Sequence, residues 1–159
     1  MSLPAKLDGL LEAVEQAGLV VALRESYLAY PLVNALHVIG IALLFGSIVA
    51  LDLRLIGWRR EAVSIDRLSA FLLPVAIGGL ALAIAAGLLL FATDARTYAA
   101  SPLFQAKMVL LALAVGNALW LRTFDWQGRQ PSRRVALAGA LSILLWLSVI
   151  ILGRLIGYF

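Results

Sequence analysis

The stretch from Tyr30 to Leu55, YPLVNALHVIGIALLFGSIVALDLRL, decides the fold because it is long and apolar enough to cross a bilayer. A hydrocarbon core of about 30 Å requires roughly 20 mostly apolar residues in an α-helix. The stretch carries His37, which is the only histidine of the chain. Ionisable groups at membrane depth are costly unless they face protein or water. His37 is therefore the first candidate for a functional residue.

The composition of the 159-residue chain is that of an integral membrane protein. Hydrophobic residues make up 63% of it and charged residues only 14%, and the mean hydropathy is +0.98. The absence of cysteine excludes disulfides, thiolate metal sites, iron–sulfur clusters and cysteine nucleophiles. No basic helix is interleaved with aromatic residues, so the sequence predicts no nucleic-acid partner.

Four apolar segments predict an all-α fold, an integral membrane up-and-down four-helix bundle with an N-terminal amphipathic helix. The spans lie at about 30–55, 68–91, 102–121 and 135–156, within one membrane domain that covers residues 30–159. Residues 1–29 place leucines and valines on one helical face, which predicts an interfacial helix before the first span. This helix is expected to lie on a partner or on the rim of the bundle itself.

The distribution of positive charge predicts the orientation of the bundle. Four spans bring the links after spans one and three to one side, and these links and their flanks carry Arg54, Arg59, Arg60, Arg67, Arg122, Arg129, Arg133 and Arg134. The other side carries Lys6, Arg24, Arg96, Lys107 and Arg154. Positive residues in short loops stay in the cytoplasm. We therefore expect a multi-pass protein with both termini in the periplasm or on the exterior side of the membrane.

Depth along the spans groups several polar residues in the outer half of the bundle. Helical rise places His37 roughly 10 Å from the outer end of span one. The residues at comparable depth are Asn34, Gly87, Gln105, Lys107, Met108 and Arg154. If their faces turn inward, they form one polar pocket that opens outward.

Haem b is the cofactor that such a pocket most readily suggests, with His37 as the axial or metal ligand. Met108 is then the candidate sixth ligand, and Lys107 and Arg154 are candidates to pair with the propionates. Gly87 belongs to a repeat of small residues with Gly79 and Ala83, which admits another helix or a flat ligand. In the alternative interpretation, His37 donates to a backbone carbonyl or to Asn34 and only fixes helix packing.

Other chemistries have fewer of the residues that they require. One histidine and two methionines do not form the soft donor set of a copper transporter. Asp52 and Arg54 read as an ion pair that anchors a helix end, rather than as catalytic groups. Polar residues through the membrane centre are too few for a transport path.

Two segments, LHVIGIALLFGSIVALDLRLIG (36–57) and SPLFQAKMVLLALAVGNAL (101–119), carry a resemblance. The chain resembles an uncharacterised family of small bacterial four-helix inner-membrane proteins, and more distantly CopD-type copper-resistance membrane domains and four-helix b-type cytochromes. The resemblance implies that the positions of His37 and Lys107 matter. Related sequences often have a second histidine near the position where Leu121 and Arg122 follow Asn117 here. A haem with two histidine ligands would therefore need a second chain.

These observations favour a small accessory or anchor subunit that acts with a protein partner or as a homo-oligomer, and not an enzyme on its own. The alternative is a purely structural membrane subunit or assembly factor without a cofactor. In that case the small-residue faces pack against neighbouring proteins in the lipid bilayer.

Overall fold

The computed structural model describes residues 4–58, 64–123 and 131–158, which form seven α-helices and no β-strand. The helices are α1 (Ala5–Glu15), α2 (Gly18–Glu25), α3 (Ala29–Ile56), α4 (Ile65–Ala92), α5 (Ala95–Ala100), α6 (Pro102–Leu121) and α7 (Arg133–Leu155). The four predicted spans correspond to α3, α4, α6 and α7. The predicted all-α bundle is confirmed, and the predicted span limits differ from the observed ones by at most three residues.

The four long helices have the length and hydropathy of membrane-crossing segments. Large apolar side chains such as Phe71, Leu88, Leu137 and Leu144 point outward along them and are more than half exposed. An apolar surface of this extent is unfavourable in water but matches the hydrocarbon of a bilayer. The exposed side chains are therefore the lipid-facing surface of a membrane protein.

Three of these helices begin with the same local signal. Ser64, Ser101 and Ser132 precede α4, α6 and α7, and each hydroxyl accepts a hydrogen bond from the backbone N–H three residues later, at 3.4 Å. Pro102 follows Ser101 at the first helical position, where its missing N–H costs nothing. Helix α3 is terminated by Gly57, the residue after its last turn, whose φ of 112° is the left-handed conformation that glycine adopts most easily.

The membrane helices pack in the spatial order α4, α3, α7, α6. Helix α3 contacts both α4 and α7, and α6 lies mainly on α7. In the described part of the chain, α4 and α6 are not packed closely against each other. A buried cluster with one residue from each helix, formed by Leu44, Ala76, Ala114 and Trp146, joins the four near the middle. The bundle is therefore open between α4 and α6.

The N-terminal amphipathic segment forms two helices, not the single helix expected. Ala17 adopts an extended conformation with φ −60° and ψ 132°, and this ends α1 and starts α2. Helix α1 lies on the rim of the bundle, against α5, a short helix in the link between the second and third spans. Of the two expected positions, on a partner or on the rim of the bundle, the structure thus shows α1 on the rim.

The docking of α1 depends on one arginine. The Arg96 guanidinium lies 3.9, 3.6 and 3.6 Å from the carboxylates of Asp8, Glu12 and Glu15. Glu15 is buried and also accepts a hydrogen bond of 2.8 Å from the backbone N–H of Arg96. A carboxylate at the start of α5 satisfies an N–H that has no partner within that helix. The acidic face of α1 therefore caps α5.

Candidate functional site

His37 lies on α3 and contacts the backbone of α4. Its Nδ1 is 2.7 Å from the carbonyl oxygen of Ala83. A carbonyl oxygen can only accept, so Nδ1 must carry the proton and donate it. In the neutral ring, Nε2 then keeps its lone pair. The bond to Ala83 therefore fixes the orientation of the imidazole. It also leaves the lone pair of Nε2 available to bind another group.

Gly87 makes room for this imidazole. A Cβ at position 87 would lie 2.9 Å from Cε1 and 3.2 Å from Nδ1 of His37. The first distance is shorter than carbon atoms tolerate, so any side chain here would displace the ring. The glycine that the sequence suggested for a flat ligand is thus in contact with the histidine itself.

The backbones of α3 and α4 approach very closely one turn further along. A Cβ at Gly40 would lie 2.6 Å from the Ala83 nitrogen, and a Cβ at Gly79 would lie 2.6 Å from the Leu44 nitrogen. Both would meet main-chain atoms, which cannot rotate away. The small-residue repeat of α4 therefore packs on α3, and Gly40 is its counterpart on α3. The approach of the two helices brings Ala83 within reach of His37.

Lys107 approaches the histidine from α6. Its ammonium is close enough to act electrostatically on the imidazole. Its Nζ lies 3.5 Å from the position that a Cβ of Gly153 would occupy on α7, and 6.0 Å from the centroid of the Phe104 ring. The last distance is at the outer limit of a cation–π contact. The half-buried ammonium thus lies where α6 meets α7, within electrostatic range of the imidazole of α3.

Aromatic rings surround the end of the bundle beyond Lys107. Phe91 stacks on Phe104 with centroids 5.2 Å apart, and Tyr98 lies 6.3 and 5.9 Å from these two rings. Burial raises the pKa of the Tyr98 phenol, and the nearby Tyr30 and Asp94 raise it further. The cluster connects α4, α5 and α6, and Tyr30 places the start of α3 beside it.

The other predicted site residues are more exposed. The side chain of Met108 is on the exposed surface of α6, and Asn34 is exposed on α3. Arg154 is also exposed, and its guanidinium donates a 2.8 Å hydrogen bond to the Tyr158 hydroxyl. Within the described ranges, no hydrogen bond or ion pair joins any of these three residues to His37. The structure brings together His37, Gly87 and Lys107.

A second polar feature lies at the opposite end of the bundle. A cleft of about 430 Å³ between α4 and α6 is lined mainly by apolar residues, with Asp52, Ser142 and Arg122 among them. Asp52 is only 3% exposed, and the Ser142 side chain lies within interaction range of its carboxyl group. The Oδ2 atom of Asp52 has no hydrogen-bond partner in the described part of the chain. Asp52 and Arg54, read from the sequence as an ion pair, are both buried, so neither side chain lies on the exposed rim of the bundle. The sequence analysis did not predict the contact between Asp52 and Ser142, although the similar depth of the two residues in their spans could have indicated it.

Metal-binding residues do not cluster elsewhere in the described ranges. No group of three histidine, aspartate or glutamate side chains lies close enough there to hold a metal ion. His37, the only histidine of the chain, is thus the only imidazole that could bind a metal. Comparisons with protein-family models, with curated proteins and with solved structures found no match.

Proposed function

We propose that this protein is a small accessory or anchor subunit of the bacterial inner membrane, which acts with a partner chain through the site around His37. Its termini face the periplasm in this proposal. The four apolar helices support the membrane location. The exposed Arg67, Arg122, Arg133 and Arg134 at one end support the orientation, because arginines near span ends mark the cytoplasmic side.

The observation that carries the proposal is the hydrogen bond between His37 and Ala83. Histidines that bind metals usually donate their other ring N–H to a carbonyl or a carboxylate, which fixes the ring and makes the free nitrogen a better ligand. The 2.7 Å contact of Nδ1 has this form. His37 Nε2 would thus bind the iron of a haem b, and the Lys107 ammonium would pair with a propionate.

Of the described side chains, His37 would be the one that holds the iron of such a haem. Met108 is 46% exposed on α6, so a further ligand to the iron would come from a partner chain or from a second copy. A haem held in this way would supply one-electron transfer across the subunit contact. The role of this chain in the proposal is to orient the imidazole of His37 and to place the positive charge of Lys107 near it.

A structural role without a cofactor is the second candidate, and the packing of Gly87 favours it. The imidazole already fills the space above Gly87 and bonds to Ala83. These two contacts lock α3 onto α4 without any further group. In this role His37 would position the helices for a partner, and the subunit would act as an anchor or an assembly factor.

One pair of variants separates the two candidates. The protein is expressed with a haem supply, purified in mild detergent and examined by absorbance and for co-purifying chains. His37→Gln keeps an N–H donor for the Ala83 carbonyl but removes the imidazole ligand, whereas His37→Ala removes both. The haem proposal expects a Soret band in the unmodified protein that both variants lose.

The structural candidate gives a different pattern. It expects no chromophore in any of the three proteins, together with a partner that stays bound in His37→Gln and is released in His37→Ala. A Soret band that persists in both variants would contradict the assignment of His37 as the ligand. No band despite the haem supply would contradict haem binding and leave the anchor role.

A further inference from the structure

A cleft lies between α4 and α6, and the His37 site does not use it. It lies where α3 and α6 end and where α4 and α7 begin. Its volume of about 430 Å³ is in the range of sites that bind small molecules. The cleft thus provides a second, independent place for a ligand.

The shape of the cleft suits a single apolar chain. Its lining follows α3 from Leu44 to Leu55, a length of about 16 Å at 1.5 Å per residue, or roughly half of the bilayer core. Trp146 lies at its base, buried in the core of the bundle. Ile77 on α4 and Leu119 on α6 line it and are about half exposed, so the cleft opens sideways towards lipid.

The charge at the end of the cleft is positive. Arg122 lines the cleft, is exposed and directly follows the last residue of α6. Arg67, Arg133 and Arg134 are exposed at the same end of the helices, and no described acidic side chain forms an ion pair with any of these four arginines. At the opposite end, by contrast, Arg96 is paired with three carboxylates. Together these exposed arginines give the mouth of the cleft a positive charge that can bind an anion.

We propose that this cleft binds one anionic phospholipid, with an acyl chain between α4 and α6 and the phosphate at Arg122. Basic sites between membrane helices are suited to acidic lipid headgroups. The acidic side chain that lines the cleft, Asp52, is buried within α3 one turn before its end, whereas Arg122 is exposed beyond the end of α6.

A lipid fits this cleft better than a transmembrane helix of a partner does. A crossing helix would need a groove along the whole bilayer, whereas the cleft extends over about half of it. A lipid chain that enters from one leaflet occupies that half. The exposed arginine also matches a phosphate at the leaflet surface.

The test measures lipid retention by native mass spectrometry. The full chain is reconstituted in nanodiscs of phosphatidylcholine that contain phosphatidylglycerol with matched acyl chains, and is then released into mild detergent. Ala118→Phe fills the cleft from α6, and Ala112→Phe places the same ring on an exposed position of the same helix outside the cleft. Arg122→Gln removes the proposed phosphate contact, and Arg154→Gln is its control at the other end of the bundle.

We expect one phosphatidylglycerol per chain in the unmodified protein and in both controls. Ala118→Phe should remove it, and Arg122→Gln should lower the preference for phosphatidylglycerol over phosphatidylcholine about fivefold. Inorganic phosphate added in excess should not displace the lipid, because the acyl chain contributes most of the contact.

Three results would overturn the proposal. The first is equal lipid retention in Ala118→Phe and Ala112→Phe. The second is an Arg122→Gln variant with unchanged headgroup preference. Because Arg122 is exposed, this variant should fold even if Ala118→Phe does not. The third is a second protein chain that Ala118→Phe releases in place of lipid, which would assign the cleft to a partner helix.

Discussion

The His37 imidazole occupies the space that a side chain at Gly87 would need. A Cβ at position 87 would lie 2.9 Å from Cε1 of the ring, while Nδ1 of the same ring lies 2.7 Å from the Ala83 carbonyl oxygen. Glycine on α4 and histidine on α3 are therefore matched in shape. A side chain added at position 87 should therefore lower the stability of the protein only when the His37 imidazole is present.

Gly87→Ala should destabilise the protein by about 1–2 kcal/mol, because the new methyl group must push the ring away from its carbonyl partner. In a His37→Ala background, the same change should be neutral or slightly stabilising, since alanine favours the helix and the clash is gone. A double-mutant cycle of unfolding in mixed micelles would measure this coupling. Equal costs in the two backgrounds would show that the ring does not lie on Gly87.

Gly79→Ala should have a larger effect, because its methyl group would meet the backbone of α3 at Leu44. Overpacking of this kind costs about 1–3 kcal/mol. Gly78→Ala is the matched control on the same helix, because nothing lies within 4 Å of a Cβ there. Thermal unfolding in detergent should separate the two variants, and a Gly78→Ala variant as unstable as Gly79→Ala would contradict the observed helix crossing.

Hydropathy was sufficient to predict the four long helices, because each apolar run is long enough for a bilayer and is bounded by polar links. The predicted start of the third span, at residue 102, is the observed start of α6. The partners of each helix were harder to predict, because an apolar residue gives the same signal whether it faces lipid or protein. Gly40 was missed for this reason, although it makes the closest contact with the repeat on α4.

Glu15→Ala should loosen the N-terminal helices from the bundle. The change removes both an ion pair with Arg96 and the acceptor for the Arg96 N–H, and the loss of a helix cap costs about 1 kcal/mol. Hydrogen exchange along α1 and α5 should become faster. Asp8→Ala is the control, since its contact of 3.9 Å is long and its side chain is about half exposed, so exchange should change little. Equal acceleration in both variants would contradict the capping role of Glu15.

Single cysteines can be introduced without background reactivity, because the chain contains none. Asp66→Cys at the start of α4 and Ala17→Cys between α1 and α2 are exposed positions at opposite ends of the bundle. The proposed orientation expects a membrane-impermeant maleimide added outside intact cells to label Ala17→Cys alone. Exclusive labelling of Asp66→Cys would invert the orientation.

Depth along the spans grouped His37, Gly87 and Lys107, but it did not determine which faces of the helices turn inward. Adjacent residues on a helix point about 100° apart, so Lys107 can face the bundle while Met108 faces outward. Asn34 precedes His37 by three residues and is exposed, although this spacing is close to one helical turn. The tilt of α3 against α4 decides between such neighbours, and tilt depends on contacts between segments that are far apart in the sequence.

The protonation of His37 is the most direct test of this account. Because the chain has one histidine, labelling with 15N-histidine gives a single imidazole in the NMR spectrum of the protein in bilayers. Under conditions in which the ring is neutral, we expect the proton on Nδ1, with contacts from that proton to Ala83 and Gly87 on α4, and an unprotonated Nε2. A ring with its proton on Nε2, or with no contact to α4, would contradict both the helix lock and the proposed ligand site.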